Sequence, residues 1–267
     1  MTVHNTDRSD DLPRQPSGNW SPDAHDIEAI LVRADVRGLD LLPSGSNYVF
    51  VMALDDDTAG AGIAIYKPER GEAPLHDFPD GTLYRRERAA YLVSEALGWR
   101  LVPPTVVRDG PHGVGTAQLF IEHQARGSYF SMKDSRVAEL RRMATFDAFI
   151  NNADRKGGHC LDGRDGRVWG IDHGLTFHRQ DKLRTVIWDW AGDPIDAPHL
   201  DDVPAWCKSC GGAATWPAGW VSCFTRRSCG RCASAANGCW RTAPTRCHRR
   251  GARCRGRRCR PERVETR

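Results

Sequence analysis

Two aspartates eighteen residues apart, Asp154 and Asp172, have the setting that phosphoryl transfer requires. Asp154 lies in the polar run Asn151-Asn152-Ala153-Asp154-Arg155, after a segment whose apolar residues (Val137, Leu140, Ala144, Phe149, Ile150) have helical spacing. Asp172 ends a strand-like run through Val168, Trp169 and Ile171 that follows a turn at Asp165-Gly166, and it is followed by His173-Gly174. One carboxylate could orient an attacking hydroxyl while the other holds a metal that neutralises a polyphosphate. An aspartate ahead of Gly157-Gly158 also serves as an ordinary turn residue or cap, so the pair needs support from the rest of the chain.

That support begins at Lys67, which closes the run Ile63-Ala64-Ile65-Tyr66-Lys67. Alternate residues of a strand share a face, so Lys67 emerges on the side where Ile63 and Ile65 look inward. A lysine facing a core must find a carboxylate or a phosphate. The expected partner is Glu87, in the helical segment 83–97, with Glu95 as the competing acid. Ser44-Gly45-Ser46-Asn47 is small enough for its backbone N–H groups to approach phosphate oxygens, although the same residues make a plain hairpin turn. His159 has three open roles: metal ligand, phosphate hydrogen bond or structural side chain. Neutral imidazole suits Mn²⁺ or Zn²⁺ better than Mg²⁺.

Taken together these residues resemble the phosphatidylinositol 3/4-kinase superfamily, and type II phosphatidylinositol 4-kinases most closely; an actinobacterial family of kinase-like proteins of unassigned substrate looks closer still. The resemblance is carried by Asn152-Ala153-Asp154-Arg155 and by Ile171-Asp172-His173-Gly174-Leu175, and it runs from about Leu41 to Ile195. It implies ATP with Mg²⁺ or Mn²⁺ as cofactors. Asp154 and Arg155 become the catalytic-loop residues, Arg155 as the anchor of the loop. Ser44, Gly45 and Ser46 become the phosphate-covering loop, and Lys67 with Glu87 the pair that holds the α- and β-phosphates. Leu119 and Phe120 would enclose the adenine, and Asp172 would bind metal. His159 stands where the type II kinases place a metal-binding Asn. The fold it implies is α+β and bilobal, protein-kinase-like, with an antiparallel N-lobe sheet and a truncated helical C-lobe.

Strands are expected at Val36–Leu42, Tyr48–Leu54, Gly62–Lys67, Thr105–Val107 and Thr116–Ile121, and a helix at Ser135–Ile150. Ser21-Pro22 reads as the start of a short, peripheral helix. The polar residues 1–20 are expected to be disordered, and residues 21–204 to form the kinase-like domain.

Near Pro204 the chain changes character. Residues 1–204 hold 23 Lys+Arg against 32 Asp+Glu (net −9); residues 205–267 hold 15 against 2 (net +13), which gives the +4 of the whole. The tail carries nine of the ten cysteines and contains neither Leu nor Ile. Cys207, Cys210, Cys229 and Cys232 have zinc-site spacing, which with the charge would suit a nucleic-acid-binding module. Arg, Cys, Gly, Ala and Trp without Leu or Ile are also what a shifted reading frame of a GC-rich gene yields, and this second reading is favoured. It would remove C-lobe helices, with consequences for stability and activity.

No apolar run is long enough to span a bilayer and the N-terminus lacks the core of a signal peptide, so a cytoplasmic location is expected. The expected partners are ATP and an unidentified hydroxyl acceptor, a lipid headgroup, a small molecule or a protein, with nucleic acid not among them. The alternatives are a nucleotide-binding pseudokinase and a zinc-dependent nucleic-acid binder acting through the tail.

Overall fold

The structure, a computed structural model, describes residues 19–43 and 46–195. The expectations for residues 1–18, for Ser44 and Gly45, and for the Cys/Arg-rich tail lie outside the described residues.

The N-terminal half is one antiparallel sheet of five strands, β1 (Asp35–Leu42), β2 (Val49–Asp56), β3 (Gly60–Pro68), β4 (Thr105–Gly110) and β5 (Gly113–Leu119), in the order β1-β2-β3-β5-β4. From Ile63 to Tyr66 both faces of β3 are at least partly covered, which explains the unbroken apolar run Ile63-Ala64-Ile65-Tyr66 ahead of Lys67. On one face Ala64 and Tyr66 join Met52, Leu54, Ala117 and Leu119 beneath helix α1 (Ile27–Arg33). On the other face the register sets Ile65 opposite Gln118 and Lys67 opposite Thr116.

Helix α1 is not the peripheral element that its shortness suggests. Ile27, Ile30 and Leu31 all point into the sheet core, each contributing about 1.5–3 kcal/mol of burial. The helix begins at Ile27 and not at Pro22, because the preceding residues turn so that Ala24 N–H reaches Ser21 O at 3.1 Å. The folded body also reaches back to Asn19 and Trp20. The Trp20 ring lies on Gly62, where a β-carbon would come within 2.4 Å of it, so this strand position admits only glycine.

Helix α2 (Leu83–Ala96) connects the two halves. Leu83, Glu87, Ala90, Tyr91 and Ser94 recur at helical spacing and form its buried side, so Glu87 points inward from an otherwise apolar and small-residue face. Glu95 is exposed. Ala90, Tyr91 and Leu97 enter a second core with Trp99 and Leu101, short helix α3 (Tyr129–Met132) and helix α4 (Val137–Phe149). The hairpin β6 (Cys160–Asp162) and β7 (Val168–Gly170) completes this lower half, turning at Gly166 with φ of 81°. Among the described residues no helix is long and apolar enough to cross a membrane.

Candidate active site

Four of the predicted residues meet between the two halves. Lys67 Nζ donates to Glu87 Oε1 at 2.6 Å and to Asp172 Oδ1 at 2.9 Å, so a sheet cation joins a helix carboxylate to the loop after β7. Glu87 uses its second oxygen as well, accepting from His173 N–H at 3.0 Å. The helix is thereby tied to the residue after Asp172 through a single buried carboxylate. Asp172 adopts a left-handed φ of 61°, a conformation unusual outside glycine and one that the surrounding bonds hold in place.

His159 links the two aspartates. Its Nε2 lies 3.1 Å from Asp172 Oδ2 and its Nδ1 3.0 Å from Asp154 O. Burial holds the imidazole below its ordinary pKa, against the opposing pull of the Asp172 carboxylate. Burial also opposes the charge on Lys67, but the Asp172 and Glu87 carboxylates outweigh it and raise the ammonium above its usual range. Asp172 is held well below the ordinary carboxylate range, chiefly by the Lys67 charge. Both partners are therefore ionised at neutral pH.

Arg155 is enclosed, at 2 % exposure. Its Nε and Nη2 grip Asp147 at 2.8 and 2.7 Å, Nη2 also meets His173 Nε2 at 2.7 Å, and Nη1 donates to His159 O and Ile171 O at 3.0 and 3.1 Å. These contacts use all five guanidinium N–H groups, leaving none to point into the cleft. Arg155 acts through its neighbours, fixing the carbonyls beside Asp172 and within the His159 turn. The contact also sets the tautomer of His173: Nε2 must accept, so the proton is on Nδ1, which has no hydrogen-bond partner among the described residues.

Asp154 faces a different environment. Its N–H is capped by Asn152 Oδ1 at 3.0 Å, Oδ2 meets Lys156 Nζ at 2.9 Å, and Oδ1 meets Arg184 Nη2. The loop is further fixed by Asn152 Nδ2 on Asp147 Oδ1 at 2.9 Å and by Ala153 N–H on Leu175 O at 2.8 Å.

Other predicted residues are placed elsewhere. Ser46 is exposed next to the undescribed pair Ser44-Gly45. Leu119 pairs in register with Ala64, which turns it toward α1 and away from the Lys67 face, where it is 1 % exposed. Phe120 is half-buried beyond the strand end, its N–H bonded to Ile63 O and its carbonyl accepting from Asn19 Nδ2. The residues on the Lys67 face of the sheet are instead Val51, Ile65, Thr116 and Gln118.

Asp147, Lys156 and Arg184 are functional candidates that sequence reasoning missed. Asp147 carried a signal, since it falls on the buried Leu140, Met143, Ala144 side of α4, where an acid needs a cationic partner. Arg184 carried none.

No protein-family model matches this chain. Over 224 residues it is 42% identical to Protein Rv2133c of Mycobacterium tuberculosis (strain ATCC 25618 / H37Rv), covering 70% of this chain and 80% of that one. The chain belongs to the family of that protein. It is also 28% identical over 182 residues to phosphatidylinositol 4-kinase gamma 4 of Oryza sativa subsp. japonica, covering 55% of this chain but only 32% of the plant protein, so it spans about a third of that relative. Among solved structures it overlaps the Golgi casein kinase with Mn/ADP bound at a TM-score of 0.39, with 16% identity and 57% of each chain covered. The architecture is the expected bilobal α+β class, an antiparallel sheet with one core joined through α2 to a helical half with another.

Proposed function

We propose that this chain is an ATP-dependent phosphotransferase of the phosphatidylinositol 3/4-kinase-like class, acting on a hydroxyl acceptor. The observation that carries the reading is Lys67, whose ammonium lies within hydrogen-bonding distance of both Glu87 and Asp172, carboxylates drawn from opposite halves of the molecule. The relationship to a plant phosphatidylinositol 4-kinase supports the same class.

In this reading Glu87 holds Lys67 where it can pair with α- and β-phosphate oxygens, in a cleft roofed by Val51 and Ile65. Asp154 accepts the proton of the acceptor hydroxyl as its oxygen bonds to the γ-phosphorus. The bond from that phosphorus to the bridging oxygen breaks, and the electron pair leaves with ADP. Arg155 keeps the loop in register by holding the His159 and Ile171 carbonyls.

For a divalent ion the donors are Asp172 Oδ2 and His159 Nε2, 3.1 Å apart on one side of the cleft. Among the described residues no three His, Cys, Asp or Glu side chains converge to hold a metal, so an ion here would need its remaining ligands from phosphates and water. Such an ion would neutralise charge on the transferred phosphoryl group. The imidazole nitrogen favours Mn²⁺ over Mg²⁺.

The test is Asp154→Ala, read as ADP release and acceptor phosphorylation. The expected loss in kcat is about 10²–10⁴-fold, or roughly 3–5 kcal/mol of transition-state stabilisation. Unchanged turnover removes Asp154 from the mechanism. Calorimetric ATP binding without any ADP release would instead favour the pseudokinase reading, in which His159 in the metal position permits binding but not transfer.

A further inference from the structure

The segment 19–23, which leads into α1, is anchored on both halves of the molecule and on the chain that crosses between them. Asn19 pairs with β3 as a neighbouring strand would. Its Oδ1 accepts from Ile63 N–H at 2.9 Å, and its Nδ2 donates to Ile63 O at 3.0 Å and to Phe120 O at 2.7 Å. One oxygen meeting an N–H and two hydrogens meeting two carbonyls leave the amide a single orientation. Phe120 N–H bonds Ile63 O as well, at 3.1 Å. This knot lies just past the last β3–β5 pair, Ala64 with Leu119, where the chain leaves the sheet for the lower half. Beside it Trp20 donates its indole N–H to Ala59 O at 3.1 Å and shares a core with Ile121, Leu161 and Trp169. Asp23 then joins Arg100, just after α2, to Arg167 of the β6–β7 turn, at 2.6 and 3.1 Å. The far side of the crossing is held separately, by Gln124 N–H on Asp162 O at 2.9 Å and Arg164 N–H on Glu122 O at 2.8 Å.

We propose that Asn19 is a positioning residue for the nucleotide side of the cleft, locking the crossing segment 120–124 to β3 and so fixing the spacing of the two halves around Lys67; this rests on the phosphotransferase reading. Ile63 lies on the same strand as Lys67, four residues earlier. A shift of β3 away from Phe120 therefore moves the ammonium relative to the lower half. Between Ile63 and Phe120 the backbone supplies one bond, and the Asn19 amide adds three around them. The amide is the strong point of this brace, because Asp23 and its two partners are between 31% and 52% exposed and such pairs contribute little. Asn19 also acts away from the transfer step. Its partners are Ile63 and Phe120, whereas Asp154 is held by Asn152, Lys156 and Arg184. Loss of the amide is therefore read in nucleotide affinity and not in the rate of transfer.

The experiment compares Asn19→Ala and the isosteric Asn19→Asp with the parent in the full chain. Asp fills the same space and can accept from Ile63 N–H, but it sets a carboxylate against two carbonyl oxygens, so it should behave no better than Ala. Amide hydrogen exchange without ATP is expected to quicken across residues 60–68 and 117–124 in both variants, while α4 keeps its protection and reports an intact fold. The KM for ATP with Mn²⁺, and its calorimetric Kd, should rise about tenfold, the equivalent of one or two hydrogen bonds, with kcat within about twofold of the parent. Asp23→Asn should raise KM only about two- to threefold. Asn19→Ser, which keeps a hydroxyl, stands in where either Asn19 variant does not fold. Exchange unchanged across both segments overturns the proposal, as does an Asn19→Asp chain that behaves as the parent or a fall in kcat as large as the rise in KM. If the parent binds no ATP while the variants still loosen residues 117–124, the phosphotransferase reading fails and the brace itself stands.

Discussion

Glu87 and Asp154 are both carboxylates gripped by cations, but the molecule holds them in opposite ways. Glu87 is 3% exposed, and its partners, Lys67 and the backbone of His173, come from two different halves of the fold. Asp154 is held by two side chains that lie mostly in water. A buried, fully bonded carboxylate is pre-organised and costly to disturb, whereas exposed ion pairs are worth about 0–1 kcal/mol and exchange readily. The contrast matches the two tasks proposed for the cleft. In the proposed function Lys67 is the fixed ammonium of the nucleotide side, and Asp154 is the carboxylate that an acceptor hydroxyl would reach.

The contrast between enclosed and exposed carboxylates is tested most sharply at Asp147, which is more deeply buried than Glu87. Asp147→Ala leaves Arg155 enclosed without its carboxylate, and the expected loss is about 3–5 kcal/mol of unfolding free energy in urea. Adding Arg155→Met should restore part of it. A loss under about 1 kcal/mol would show that this pair behaves like an exposed one. A smaller effect is expected at the junction itself. Glu87→Gln keeps the shape but weakens the hold on Lys67 and on His173 N–H, with a predicted cost of about 1–3 kcal/mol. ATP affinity, measured by calorimetry, should fall with it. Retained affinity would mean that Asp172 alone positions Lys67.

The smallest effect belongs to an intermediate pair, in which Asp56 is enclosed but its partner Arg33 is half in water. Asp56 accepts from Arg33 Nε at 2.6 Å, Thr58 Oγ1 at 2.7 Å and Ala59 N–H at 2.9 Å. Arg33, followed by Thr58, holds this carboxyl well below the usual carboxylate range. The unfolded chain therefore binds the extra proton first as the medium becomes acid. The stabilisation is complete above the ordinary aspartate value of about 3.9 and disappears as pH falls through the lower folded value. Asp56→Asn should lower the melting temperature at pH 7 and converge with the parent chain in strong acid. Parallel curves at every pH would show that the charge contributes nothing.

Much of this architecture was legible in the linear chain. The strand runs around Val36, Phe50, Ile63 and Thr116 fall where expected to within a few residues, because period-two patterning and polar turns are local properties. Helix α2 matches the segment read for it apart from its last residue. The meeting of Lys67 with Glu87 was anticipated for a physical reason, since a lysine on an inward strand face must be paired. Helix α3 was not anticipated: its four residues sit in a polar stretch and are helical because Tyr129 and Met132 are buried against α4 and its surroundings. Leu119 was assigned to the wrong side for an equally specific reason. An apolar strand covered on both faces gives no sign of which residue faces which core, and only the register with Ala64 decides it.

The chain alone singled out Lys67, Glu87, Asp154 and Asp172 as candidates, because an ammonium within an apolar strand and aspartates at element ends are chemically conspicuous wherever they occur. Tertiary structure alone decided their company. Arg155 became an enclosed anchor, with Asp147 eight residues back in sequence, and Arg184 was laid across Asp154 from thirty residues away. Such contacts depend on loop closure and long-range backbone pairing, whose free energy is shared across the whole fold and leaves no mark on any local run of residues.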